Sequence, residues 1–436
     1  MLFLPCPQSF QSYTCFNAPF LKRNPPLIAM DFLSCVEDDS FGPAVHGCRD
    51  NFDFTIKFEN IFLTIIPNCF FIVIALGRII ILSRRSKVIN GPILRRIKLV
   101  ASNAYGGLQL SLLILSTDFI KSSALLLASA AVSFCSSILI IGLSFLEHSR
   151  SSRPSIWLSI YFFFTILFDV AQTRTLWLAS TNFEEIIFSR LSTVCVIAKS
   201  ILLIIESQDK SRWVQWDMER HSPEETSGIF SLTAFTWLGR IFLAGYTKIL
   251  TLDDLFPLDQ SMATEALQLR LIDNLRSSKS KGQKHGFGLA KAMVKTLKVQ
   301  LLLPIGPRVA LIGFKFCQPF LIHSLLQYLE KPADHASKNR GYGLVGATIL
   351  IYTGIAVFTS LYWYLHERTL CMSRGSLAGS VYRKTTESKL STVGASTAIT
   401  LMSADVERIR LGFLNLHEFW ANCIEVGLAS WLLYRQ

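Results

Sequence analysis

Charge is scarce in this chain. Only 17% of its 436 residues are Asp, Glu, Lys or Arg, against about 25% in a typical soluble domain. Half the residues are hydrophobic and the mean hydropathy is +0.39, so an ordinary water-soluble fold is excluded. Phosphate-cradling loops are missing too. No G-x-x-x-x-G-K-[ST] occurs, and GQKHGFGLAK at Gly282–Lys291 has the wrong spacing and follows no strand, which leaves the sequence without a route to nucleotide binding of its own. The ten cysteines contain no CxxC pair and no metal-ligand spacing with histidine, so no metal site is expected. Cys69, Cys135, Cys195, Cys317 and Cys423 lie in apolar runs, as small buried hydrophobes do. No Ser/His/Asp grouping suggests catalysis, and no N-x-[ST] sequon marks an extracellular loop.

What the chain has is long apolar runs. Spans are expected at about 61–82, 97–117, 124–146, 156–178, 186–205, 303–329 and 343–366, with an eighth, cut short, at about 411–434. The net charge of +12 does not point to nucleic acid, because the basic residues sit in loops beside the spans. Arg84, Arg85, Lys87, Arg95, Arg96 and Lys98 flank the first loop, Arg150 and Arg153 the third, while the fourth, STNFEE, is acidic. The alternation places the N-terminus outside and 206–300 and 367–410 in the cytosol. The fold expected is an all-α polytopic membrane protein: 1–60 outside, 61–205 a five-span domain, 206–300 a linker, and 301–436 the start of a second transmembrane domain.

Polar residues inside these spans need partners or water. In the sixth span Arg308 and Lys315 are seven apart and share a face. Gln318 lies a turn beyond Lys315, and His323 lies near the same face. These four can line an aqueous cavity, although Arg308 can equally snorkel to the interface. Asp169, Gln172 and Arg174 in the fourth span read as a structural network, and Arg78 as a snorkelling residue. Pro304, Pro307 and Pro319 suggest a kink in the sixth span. Within the linker, Ser227–Asp259 reads as an amphipathic helix lying in the membrane interface, with Trp237 at headgroup depth. No soluble core is evident nearby for it to join.

The closing third carries a family signature. Thr392-Val393-Gly394-Ala395, then Leu401-Met402-Ser403-Ala404-Asp405-Val406-Glu407-Arg408, then Trp420 follow one another. Together with Asp254-Leu255-Phe256-Pro257-Leu258 after the interfacial segment, they resemble the C-subfamily ABC transporters of the multidrug-resistance-associated type. The proline of the family's W-x-x-P entry is absent, since Ala421, Asn422 and Cys423 follow Trp420. The segment from Met30 resembles the extracellular N-terminus of fungal members, so Met30 is an expected native start. Cys35 and Cys48 would then lie in an oxidising space and form a possible disulfide.

The resemblance implies the N-terminal portion of an ATP-driven exporter of amphipathic or conjugated molecules such as drugs, toxins or secondary metabolites, lacking its nucleotide-binding domains. It implies that Arg308, Lys315, Gln318 and His323 hold anionic substrate. It places a coupling element at Thr386–Thr397, with Thr386, Ser391, Gly394 and Thr397. No cofactor is expected on this chain; ATP and Mg2+ would bind the family's missing domains. The partners implied are the lipid membrane, a small-molecule substrate and those domains, and no nucleic acid. The setting is the plasma membrane, or alternatively the vacuolar membrane. A chain of this extent is not expected to pump alone. Its alternatives are an accessory membrane subunit and a seven-span receptor, against which the interfacial segment and the apolar run after the seventh span both argue.

Overall fold

A computed structural model describes residues 53–435, apart from 88, 90, 119–123, 181, 215–220, 281–287, 331–334 and 388–394, together with 38, 40–42 and 45. The possible disulfide at Cys35 and Cys48 lies outside the described residues. Every regular element described is a helix, and the only pairing between extended segments is an isolated bridge from Ile89 to Val214. Seven helices are long and apolar enough to cross a membrane, as the runs of uncharged residues require.

Five of them form the first bundle: α1 (Ile56–Ser83), α2 (Pro92–Asp118), α3 (Ala124–Arg150), α4 (Ile156–Ala179) and α5 (Phe183–Glu206). Local signals set their ends. Pro92 stands at the first helical position of α2, where its missing N–H costs nothing. Ser155 caps α4 by accepting from Leu158 N at 3.4 Å, and Asn182 with Glu185 forms a capping box on α5. Helix α3 packs on α1 and α2, and α5 on α2 and α4, around Phe71, Tyr105, Ile140, Leu158 and Phe162. Phe70 and Val73 point outward, 68% and 71% exposed, as a lipid-facing surface should.

Polar groups in this bundle find each other, because hydrocarbon offers no water to satisfy them. Asn68 accepts from Ser136 Oγ at 2.8 Å and from Tyr161 Oη at 2.6 Å. Lys199 pairs with Asp169, Gln172 bonds to Asn60 and Thr64, and Arg174 reaches Asp53 at 3.1 Å. The network expected in the fourth span is therefore present. Arg78 corrects its expectation: it binds Glu147 at 2.8 Å instead of snorkelling, because Glu147 is 1% exposed in the last turns of α3 and needs a cation.

The linker departs further from expectation. Ser227–Asp259 is not one amphipathic helix but a chain of short turns: Ile229–Thr233, Thr236–Leu238, α6 (Gly239–Thr247) and Leu252–Asp254. Phe235, at φ 52°, turns left-handed and breaks the run. Helix α6 keeps an apolar face, with Phe242, Leu243 and Tyr246 exposed. A separate core follows. Helices α7 (Thr264–Ser280) and α8 (Gly288–Thr296) bury Leu267, Leu271 and Met293 against Met372, Leu377 and Val406. Close approach there uses Gly379, where an added Cβ would stand 3.1 Å from Thr264 Cγ2.

Besides the short helices Lys298–Leu302 and Ala395–Thr400, there follow α9 (Ile305–Glu330), α10 (His335–Glu387), α11 (Val406–Leu414) and α12 (Leu416–Arg435). Helix α9 starts after a turn at Leu303–Pro304 and keeps Pro319 in its interior. Helix α10 begins eight residues before the expected span and ends twenty-one residues beyond it, at 53 residues in all. At about 1.5 Å per residue it is about 80 Å long, against about 30 Å for a hydrocarbon core. Helix α12 covers most of the expected eighth run, separated from α11 by a break at Asn415.

Candidate functional site

Two seven-residue spacings meet between α9 and α12. Arg308 and Lys315 project from one face of α9, and Glu418 and Glu425 from one face of α12. Arg308 Nη2 lies 2.7 Å from Glu418 Oε2 and 3.4 Å from Glu425 Oε1, and Lys315 Nζ lies 3.7 Å from the same Glu425 oxygen. Residues seven apart recur after nearly two helical turns, so each pair forms a short ladder that the other can meet. Tyr362 of α10 closes the arrangement: its hydroxyl donates to Glu418 Oε1 at 2.9 Å, and its ring lies 5.5 Å from the Arg308 guanidinium.

Burial separates the two cations. Arg308 is 5% exposed, whereas the Lys315 side chain is 45% exposed. Arg308 is held among carboxylates and an aromatic ring, while Lys315 keeps an open side. Gln318 is half-buried one turn on, and His323 is exposed, with its Nε2 3.1 Å from Gln327 Nε2. The structure brings Arg308 and Lys315 together and leaves Gln318 and His323 out of the ion-pair network. Sequence reading missed Glu418 and Glu425. Their matching spacing in LHEFWANCIEV was the available signal.

Beside the network sits a buried histidine pair. His366 stacks on Tyr362 with centroids 5.5 Å apart, and His417 meets His366 edge-on at 5.4 Å. His366 Nε2 lies 3.0 Å from Leu414 O, and His417 Nδ1 accepts from Trp420 Nε1 at 3.3 Å. Trp420, singled out by its motif, thus packs against the ring pair instead of facing lipid alone.

A second charged junction ties the five-helix bundle to α10 through the linker. Arg368 of α10 pairs with Glu224 and with Asp259. Asp259 also accepts from Arg153, in the loop between α3 and α4, at 3.2 Å, and Arg153 Nε reaches Glu225 O at 3.1 Å. One linker carboxylate is therefore shared between both transmembrane parts. Nearby, Lys210 is fully buried and donates to the carbonyls of Glu147 at 2.7 Å and of Ser151 and Arg153, both at 3.1 Å. Burial pushes its pKa down to about 7, with the neighbouring Lys98 charge acting in the same direction.

Of the expected coupling residues, Thr386 lies in the last turn of α10, donating to Arg383 O at 2.8 Å, and Thr397 is exposed in the helix Ala395–Thr400. Ser391 and Gly394 lie outside the described residues. Among the described residues no group of His, Cys, Asp and Glu is placed to hold a metal ion.

Residues 31–213 match the ABC transporter TMD0 domain. The chain is 46% identical to ABC transporter FGM5 of Gibberella zeae, over 93% of this chain and 28% of that protein. It is 44% identical to ABC-type transporter braE of Annulohypoxylon truncatum, over 93% and 27%, and 35% identical to ABC multidrug transporter B of Aspergillus fumigatus, over 93% and 28%. The chain thus spans little more than a quarter of the length of these curated relatives. Seven membrane-length helices, the match over residues 31–213 and alignment along nearly the whole chain lead to one assignment: this is an integral membrane polypeptide that carries an ABC transporter TMD0 domain and is similar to fungal ABC transporters.

Proposed function

We propose that this chain serves ATP-driven export of small amphipathic or conjugated molecules, contributing the TMD0 domain, the linker and the first core helices. The observation that carries this reading is α10. A helix of 53 residues outruns the hydrocarbon core by about 50 Å, so its far end stands clear of the membrane. That end is built to be moved by a partner, and the nucleotide-binding domains of a complete transporter supply ATP and Mg2+ there. Thr386–Thr397 is the contact in this reading. The name of the Aspergillus fumigatus relative, ABC multidrug transporter B, supports a small-molecule cargo.

In this reading the basic helix ends face the cytosol and the membrane is the plasma membrane. Lys315, with its open side, meets anionic cargo, while Arg308, in its double carboxylate grip, orients Glu425. Gln318 and His323 border the route beyond the network.

A chimera tests the proposal. This chain would replace the matching portion of ABC transporter FGM5, and inside-out vesicles would be assayed for ATP-dependent accumulation of an anionic amphipathic dye. Accumulation is expected, with loss on Lys315→Glu. A chimera that hydrolyses ATP yet moves no amphipathic compound, anionic or neutral, would overturn it.

A further inference from the structure

The basic end of the five-helix bundle holds a concavity of about 580 Å3 between the ends of α1, α3 and α4. Arg78, Arg85, Arg150 and Arg153 all line it. Three of them come from two related tetrapeptides, Ser83-Arg84-Arg85-Ser86 closing α1 and Arg150-Ser151-Ser152-Arg153 closing α3. Among the described residues, carboxylates answer two of the four: Glu147 binds Arg78 at 2.8 Å, and Asp259 binds Arg153 at 3.2 Å. Arg150 donates to Leu82 O at 2.8 Å and to Ser83 O. Those carbonyls aim the guanidinium without cancelling its charge. Arg85 is exposed and has no carboxylate partner among the described residues. Among the described residues, four cations here meet two carboxylates, which leaves a positive surplus.

The position of the concavity fits a ligand presented from the membrane edge. Trp157, 43% exposed at the start of α4, borders it, and tryptophan favours the headgroup layer. Ile80 and Ile81 on the adjoining turn of α1 are 57% and 52% exposed, which puts lipid beside the opening. A guanidinium grips phosphate through paired N–H donors. Basic pockets between transmembrane helices at the cytosolic face suit phosphorylated headgroups. We propose that this concavity binds a phosphomonoester anion at the membrane edge, with Arg85 and Arg150 as its principal contacts. Ser86 and Ser152 supply further hydroxyl donors, and Trp157 packs beside the ligand's apolar part. Because Arg153 also holds Asp259, the site touches the linker junction directly.

The test uses the full chain in phosphatidylcholine nanodiscs, with and without added phosphatidylinositol 4-phosphate, and native mass spectrometry to count retained lipid. Selective retention is expected for the wild-type chain. Arg85→Gln, at an exposed position that packing does not depend on, should lower it several-fold, and the pair R85Q/R150Q by about tenfold or more. Arg96→Gln, exposed on α2 outside the concavity, should change nothing. If inorganic phosphate strips the lipid, or protects Arg85 from a guanidine-directed reagent when no phosphoinositide is present, the ligand is free phosphate; if only the lipid does so, it is a headgroup. No preference for either source over phosphatidylcholine, or an equal loss in R96Q, would overturn the proposal.

Discussion

At Arg308 and Glu418 the balance of burial sets the energetic cost of a substitution. Removing one member of a fully buried pair costs about 3–5 kcal/mol, but Glu418 is 29% exposed, so Glu418→Ala should cost about 2 kcal/mol by thermal unfolding in detergent. A double-mutant cycle of R308Q and E418Q should show coupling of about 1–2 kcal/mol; strictly additive losses would show that the pair does not interact. Lys210 gives a pH signature. Its ordinary value of 10.5 falls to about 7 in the fold, so between those values the folded chain binds fewer protons than the unfolded one. Stability from this group is therefore lowest below pH 7 and rises toward pH 10.5, by at most about 1.4 kcal/mol per pH unit. Subtracting the pH dependence of Lys210→Met from that of the wild type should isolate that slope. At this scale the spacing of Arg308 and Lys315 on one face was legible in the sequence, because helical period alone places them. Their neutralisation by Glu418 and Glu425 was not, since nothing in a sequence says which helix packs against which.

Elements were legible where lipid dictates them and obscure where packing does. Helices α1 to α5, 24–28 residues long, follow from apolar runs of about 20 residues and from caps such as Ser155. The linker followed no such rule. Its short apolar stretches suggested a single interfacial helix, whereas the turn at Phe235 and the core built by α7 and α8 depend on α10 passing beneath them. The hairpin of α9 and α10 offers a direct check of that packing. A Cβ placed on Gly354 would come within 2.5 Å of the Phe314 ring, so Gly354→Ala should destabilise the hairpin by about 1–3 kcal/mol, with partial rescue by Phe314→Leu, again by thermal unfolding. The linker junction invites a second check. Asp259→Asn weakens both of its arginine contacts at once, and limited proteolysis between α5 and α7 should accelerate several-fold; unchanged cleavage would mean that the linker is held elsewhere.

For the whole molecule, the measurable quantity is transport. Vesicles holding this chain by itself should show no ATP-dependent accumulation, whereas the chimera should; accumulation by the chain alone would contradict the division of labour proposed above. The resemblance to ABC transporters was legible from the motifs at Leu401–Arg408 and Asp254–Leu258, because both are short polar signatures beside apolar segments. The cargo was not, because the spacing of Arg308 and Lys315 places two charges on one face without specifying what molecule meets them.

The length of α10 has a mechanical side. The helix contains no proline along its 53 residues, and it is pinned at Arg368 by two linker carboxylates. From that pin, about 28 Å of rod extends toward Glu387 and about 50 Å toward His335. A push at the shorter arm would swing the longer one through roughly 1.7 times the distance, the ratio of the two arm lengths. Arg368 would then act as a fulcrum, and moving it along the helix would change the ratio between the two arms.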